Sequence, residues 1–596
     1  VSDSKHFDQE SPQPPKNGLI LLQCLIFGLF CVFALRLWYL QVHLGKEFAE
    51  KARENQLRQE LVYAPRGLIR DREGRLLAVN EPAYALGLVR EDCKDVDATL
   101  AQVAAWTHID LDELKRRFAR GRKRVKPFNP LILVPDISYD LLAVIETNAL
   151  FWPGLEIVIR PKRHYPQGAV LSHVLGFVAE ANEEELERDP GLYLGDAVGK
   201  QGLEFVLEKR LRGKKGLDQY EVDATGRFLA HKVVRAPEAG ANIDLSIDLD
   251  LQEFAARELE GRSGAVVVLD PDNGQVLALV SNPGYDNNAF VLGLSPEQWQ
   301  ALRDNPRHPL QNRAIQSMYP PGSVWKLLVG ACGLSEGVII PRNTVYCPGT
   351  YRLGQRVFRC WKKHGHGNVD FKRSLVESCD VYYYHYGERL GVDRISRYAF
   401  DSGFGKLTGI DLPHEKKGLV PTREWKRERF GEPWQGGENL NLAIGQGYTL
   451  VTPLQVARFV GALVNGGTLY RPNLLLDAPA DAQAELPLSE AHRELIVEAM
   501  VATVDDPHGT ARRLHRKDAR MGGKTGTAQV VKIQGEDRLD TYEMPYSHRD
   551  HAWLASFGEK DGRRYVVVVM VEHGGHGGSA GGPMARAIYN HLFGKE

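Results

Sequence analysis

The chain has 596 residues, 43% hydrophobic and 25% charged, with 59 glycines and 32 prolines, an ordinary globular composition that excludes a disordered, collagen-like or disulfide-dense protein. Its 75 basic and 76 acidic residues leave a net charge of −1, without the basic footprint of nucleic-acid binding, so no nucleic-acid partner is expected. A mean hydropathy of −0.32 excludes a multi-spanning membrane protein.

Residues 1–17 read as a short polar tail. Gly18 to Leu35 carries no charge and a single amide, Gln23, which predicts a membrane anchor over residues 18–40. Trp38 and Tyr39 suit the interface, and Arg36 is late enough to snorkel to the headgroups. A cleaved signal peptide is the alternative; the long apolar run and the lack of a small-residue cleavage site after it favour an anchor. Lys5 and Lys16 before the span, against Arg36, Lys46, Lys51 and Arg53 after it, do not orient the chain.

After the anchor, Glu47–Gln59 is polar and helix-compatible. Ala64–Ala78 predicts two short strands around a turn at Glu73-Gly74. Residues 84–235 are mixed, with a charged helix over Asp110–Arg124, and Pro237–Asn242 reads as a boundary loop. Domains are therefore expected at 41–236 and 237–596.

In the second part, Ala265–Asp270 and Gln275–Ser281 flank Pro-Asp-Asn-Gly, a strong hairpin signal. Trp553–Gly558 and Arg564–Val571 predict a second hairpin through Lys560-Asp-Gly562, followed by a helix over Pro583–Phe593. The Gly/His-rich stretch Glu572–Gly582, with His573 and His576, reads as a mobile loop. Hairpins around a helix-rich middle imply an α+β domain, an antiparallel sheet with helices on its faces.

Three motifs carry chemistry. Tyr319-Pro-Pro-Gly-Ser-Val-Trp-Lys326 sets Ser323 after a tight turn. A helix opening at Ser323 and running to Cys332 brings Lys326 onto the same face one turn on. A buried lysine sheds its proton and activates a neighbouring hydroxyl. Ser378-Cys-Asp380 follows, and then Lys524-Thr-Gly526 with Thr527. Each motif alone has a bland reading, a capped helix or a strand end; the ordered triplet does not.

Ser-x-x-Lys, Ser-Asp-Asn and Lys-Thr-Gly occur in this order in serine β-lactamases and penicillin-binding proteins. The chain resembles a class B penicillin-binding protein from its span onwards. Arg66-Gly-Leu-Ile-Arg-Asp-Arg-Glu-Gly74, Gly199-Lys-Gln-Gly-Leu-Glu204 and Leu211-Arg-Gly213 are similar to pedestal motifs of that family. Asn282-Pro-Gly-Tyr-Asp286 and Ile444-Gly-Gln-Gly447 are similar to segments of its transpeptidase domain. Length and the Ser-Cys-Asp triplet favour the elongation type. The resemblance implies a five-stranded antiparallel sheet with helices on both faces, a β-rich pedestal and one transmembrane helix.

It further implies a D,D-transpeptidase that cross-links peptidoglycan stem peptides and is acylated by β-lactams. In that reading Ser323 is the nucleophile and Lys326 its base. Ser378 relays protons, and Lys524 and Thr525 bind the substrate carboxylate beside Gly526. Backbone N–H groups of Ser323 and Thr527 form the oxyanion hole. The resemblance also implies a cytoplasmic N-terminus, a catalytic domain outside the membrane, elongation-complex partners and a SEDS (RodA-type) glycosyltransferase. Asp380 departs from the usual asparagine. A carboxylate near Lys326 favours the ammonium and opposes its role as base, unless Asp380 is protonated, points elsewhere or shares the proton.

Of seven cysteines, Cys347, Cys360 and Cys379 join His366 in a Cys₃His set. The spacing matches no zinc-finger knuckle. A structural zinc site is expected, with a Cys347–Cys360 disulfide or buried free thiols as alternatives, and His364 as a substitute for His366. No organic cofactor is expected. Cys379 lies inside the middle motif, so a metal there pins it. Three rival functions share these motifs: a division-type transpeptidase, a β-lactam sensor, and a non-catalytic activator of a glycosyltransferase.

Overall fold

The computed structural model describes residues 16–46, 57–222, 228–530 and 543–595. A helix over Lys16–Trp38 continues through a wider turn at Tyr39–His43. Its apolar side chains all face outward, so it has no core to bury them in. Asn17–His43 is long enough to cross a bilayer, and its most apolar 18-residue stretch has a mean hydropathy of 2.6.

The pedestal follows. Leu57–Val62, expected within or just after a polar helix, is a strand paired with Gly216–Val222, which also pairs with Phe228–Arg235. Cross-strand partners far along the chain override the local pattern here; residues 47–56 of the expected helix lie outside the described residues. Ile69–Arg70 and Leu76–Leu88 pair across the Glu73-Gly74 turn as expected. Leu76–Leu88 also pairs with Leu131–Ile137 and Leu155–His164. The helix Leu111–Gly121 is capped by Asp110, whose carboxylate accepts from the amides of Asp112 and Glu113.

The second part of the chain is built on five strands: β1 (Gly264–Leu269), β2 (Val276–Asn282), β3 (Arg520–Ala528), β4 (His551–Lys560) and β5 (Arg563–Val571). They lie in the order β2-β1-β5-β4-β3, each pair antiparallel. Both hairpins form where the sequence predicts them. The apolar runs in β1 and β5 are unbroken because both faces are covered. Ala265, Val267, Leu269, Val566, Val568 and Met570 enter one core, which holds helices α1 (Lys326–Ser335), α2 (Asp380–Asp401) and α3 (Pro453–Val464). Val266, Val268, Val567, Val569 and Val571 enter a second core with Leu249–Glu258 and the last helix, α4 (Gly577–Phe593).

Helix α4 begins at Gly577 rather than at Pro583. A Cβ at Gly577 would lie 2.0 Å from the Trp553 carbonyl, so glycine lets the helix press directly onto β4. The expected mobile loop is held: the His573 amide donates to His551 Nδ1 at 3.1 Å, and His576 is the residue preceding α4.

The boundary near Pro237–Asn242 joins the two parts closely. Ile243–Asp244 pairs in parallel with Ile69–Arg70, and Arg70 bridges Asp244 at 2.7 Å. Farther along, Tyr285 donates to the Ser172 carbonyl, and His173 Nε2 lies 2.9 Å from the Pro309 carbonyl.

Candidate active site

Ser323 does not open an α-helix. It lies in a 3₁₀ turn, Gly322–Trp325, and α1 starts at Lys326. The turn is forced by contact. Gly322 has φ +52°, and a Cβ there would meet the Thr527 carbonyl at 2.5 Å. Its amide donates to the Gly445 carbonyl at 3.0 Å. Trp553 on β4 adds an indole hydrogen bond to the Pro320 carbonyl at 3.0 Å. Ser323 is thereby pressed against the Lys524-Thr-Gly strand, partly exposed, with Lys326 and Lys524 fully buried beside it.

The three motifs meet at Ser378. Lys524 Nζ donates to Ser378 Oγ at 2.8 Å and Lys326 Nζ at 3.3 Å, so one hydroxyl joins two amines. Lys326 also donates to the Ser378 carbonyl at 2.8 Å and to Asp380 Oδ1 at 2.6 Å. Asp380 therefore points at Lys326. Among the described residues no hydrogen bond joins Lys326 to Ser323, so the ground state stores the amine on Asp380 and Ser378. Thr525 Oγ1 is bonded to Thr510 Oγ1 at 2.9 Å, and Gln446 donates to the Thr527 carbonyl at 3.1 Å. Gly526 packs under the Pro321 carbonyl, where a Cβ would lie at 2.9 Å.

Burial sets the electrostatics. It pushes the Asp380 carboxyl up, while Lys326 pulls it down. It drives Lys524 well below the usual lysine range, and the charge of Lys326 lowers it further, with Asp380 opposing. The site thus disfavours a second ammonium at Lys524, and the Ser378 hydroxyl connects that amine to Lys326.

Beside it, Cys347, Cys360, His366 and Cys379 are all buried, with ligand atoms within 4.8 Å of one another. All three cysteines are free thiols. Cys347 Sγ and Cys360 Sγ lie 3.5 and 3.6 Å from His366 Nδ1. A tetrahedral zinc with bonds of about 2.0–2.3 Å separates its donors by roughly 3.5–3.8 Å, so the set has the right size and chemistry. His366 Nε2 is buried without a hydrogen bond among the described residues, 3.9 Å from the Glu377 carboxylate, the second partner a ligating histidine uses. His364 is exposed and outside the group.

Sequence reasoning passed over Trp361, Thr510 and Glu572. Trp361 touches the middle motif, and Glu572 accepts from the Tyr319 hydroxyl at 2.7 Å just before the nucleophile turn. The one local signal was position: Trp361 directly follows Cys360.

Residues 264–592 match the family described as penicillin binding protein transpeptidase domain, and residues 61–245 match the penicillin-binding protein dimerisation domain. Similar curated proteins include the peptidoglycan D,D-transpeptidase MrdA of Haemophilus influenzae, 34% identical over 97% of this chain and 90% of its own length. MrdA of Escherichia coli K12 is 34% identical over 97% of this chain and 93% of its own. A Helicobacter pylori penicillin-binding protein PBP2, solved in complex with MreC, superposes with a TM-score of 0.79 at 32% identity, covering 90% of this chain and 99% of that one. A chain from a peptidoglycan synthase complex, studied for coordination of polymerization and crosslinking, gives 0.70 at 31% identity over 97% and 99%.

Proposed function

The chain belongs to the class B penicillin-binding proteins, and from that membership we infer that it is an elongation-type peptidoglycan D,D-transpeptidase working through a Ser323 acyl-enzyme. The observation that carries the reading is the Ser378 hydroxyl held between Lys326 and Lys524 beside the Ser323 turn. Ser323 Oγ attacks the carbonyl of the penultimate D-Ala, and its proton passes to Lys326. Asp380, at 2.6 Å, stabilises the ammonium so formed. Backbone N–H groups of Ser323 and Thr527 take the oxyanion, and Lys524 with Thr525 holds the terminal carboxylate. Collapse expels the terminal D-Ala, whose amine receives a proton through Ser378. The amine of a neighbouring stem then attacks the acyl carbonyl, forming the cross-link and freeing Ser323.

A fluorescent penicillin tests this. The full chain takes one label, mapped by mass spectrometry to Ser323, and releases D-Ala from a stem pentapeptide. An unlabelled wild-type protein, or label retained in Ser323→Ala, overturns the reading.

The Cys₃His group holds a structural zinc through Cys347, Cys360, His366 Nδ1 and Cys379. Bound there, zinc contributes rigidity to the segment carrying Ser378. The donor chemistry and spacing support this reading.

The apolar helix anchors the chain in the cytoplasmic membrane, with its N-terminus inside and the catalytic domain outside, where the stem peptides are. The H. pylori relative bound to MreC and the relative in a peptidoglycan synthase complex support elongation-complex partners for this chain too, and the family resemblance adds a SEDS-type glycosyltransferase.

A further inference from the structure

We propose that Trp361 is a positioning residue for acylation, a clamp that holds Ser378 and Asp380 of the middle motif in reactive geometry. The proposal rests on the transpeptidase reading of the site and not on the presence of a metal.

Ser378 has φ +53°, a left-handed conformation that is strained for a residue with a side chain and persists only when neighbours over-determine it. Trp361 supplies much of that determination. Its indole N–H is shared between the Glu377 carbonyl at 3.0 Å and the Ser378 carbonyl at 3.1 Å. Its backbone N–H donates to Asp380 Oδ2 at 3.0 Å. One residue therefore grips both carbonyls around the strained peptide and the carboxylate oxygen that Lys326 leaves free. The neighbouring Lys362 adds an ion pair to Glu377 at 3.2 Å.

Burial does not account for this tryptophan. Its side chain is among the exposed large ones, at 59%. Apart from an edge contact with the His366 ring at a centroid distance of 5.5 Å, a ring this exposed adds little hydrophobic stabilisation, so hydrogen bonding is its main contribution here. The Ser378 carbonyl accepts from Trp361 and from Lys326 at once. The clamp and the base therefore share one acceptor. Without the indole N–H, the Ser378 peptide relaxes toward ordinary φ, and its hydroxyl leaves the place between the two lysines. Proton transfer suffers, whereas initial docking of the ligand at Lys524 and Thr525 does not.

The test uses the full chain in two variants. Trp361→Phe keeps an aromatic ring and loses the donor. Replacement of Trp361 by benzothienylalanine keeps the ring shape and loses only the N–H. Stopped-flow acylation by a fluorescent penicillin separates the dissociation constant of the first complex from the acylation rate constant. The proposal expects both variants to acylate about tenfold more slowly, with unchanged first-complex affinity, melting temperature and metal content. Wild-type rates in both variants overturn it. So does a slow Phe variant beside a normal isostere, which makes the ring's packing responsible. Weakened first-complex affinity at unchanged rate constant also overturns it, as does a rate loss accompanied by loss of fold or metal in both. A wild-type chain that takes no label fails the transpeptidase reading itself, a distinct outcome.

Discussion

Ser378 is the residue on which the chemistry converges, because its hydroxyl accepts from both Lys326 of the Ser-x-x-Lys turn and Lys524 of the Lys-Thr-Gly strand. Ser323→Ala is expected to abolish penicillin labelling. Ser378→Ala is expected to fold normally and to acylate ~10²-fold more slowly, since it leaves the nucleophile and removes the proton path. Rate constants with a fluorescent penicillin, beside melting curves, check both. Gly322 answers to sterics instead. Alanine there must adopt φ +52° and push its Cβ into the Thr527 carbonyl. Gly322→Ala should lose about 2 kcal/mol or more of stability and most of its acylation, read by urea unfolding and labelling together. Of the three readings of Asp380, the structure removes one, that it points elsewhere: the carboxylate faces Lys326 and is gripped on its other oxygen by Trp361. An asparagine accepts through only one of those two atoms.

Among elements, the sheet divides its side chains between two cores by simple alternation, and this makes β3 and β4 a rigid platform for the Lys-Thr-Gly motif. The nucleophile turn is rigid for a different reason, being pinned from outside by Gly445, Thr527 and Trp553. The segment preceding α2 is the least regular of the three, and it carries Ser378 and Cys379 together. If the Cys₃His group holds the segment through zinc, the purified soluble part contains one metal per chain, and Cys379→Ser contains none. That variant is then expected to acylate roughly tenfold or more slowly. Elemental analysis and labelling on the same samples decide it; normal acylation by a metal-free Cys379→Ser protein would count against the pinning.

For the whole molecule, the contact between pedestal and catalytic domain contains a titratable group. His173 in the pedestal meets the Pro309 carbonyl of the catalytic domain, and burial holds its pKa down to about 4. The unfolded chain, with an ordinary histidine near 6.5, binds the proton first as pH falls. The stability contribution is thus complete above that value and is lost as pH drops toward 4, by about 3 kcal/mol. His173→Gln retains a donor for Pro309 and removes the titration. Urea midpoints at pH 7 and pH 4.5 should fall steeply for the wild type and less for the variant.

The sequence by itself determined the family and the main architecture, and it named the residues that the structure brings together. Ser323, Lys326, Ser378, Lys524 and the Cys₃His set were readable because reactive groups must be particular residue types, and the ordered motifs leave few alternatives. Both hairpins and the anchor were readable because turn residues and long apolar runs act locally. Tertiary structure decided what depends on distant partners: Leu57–Val62 as a strand, the 3₁₀ turn at Ser323, and the start of α4 at Gly577. It alone decided that Asp380 faces Lys326 and that Trp361 holds the middle motif. Such contacts join segments far apart along the chain, and their geometry comes from packing that no local pattern encodes.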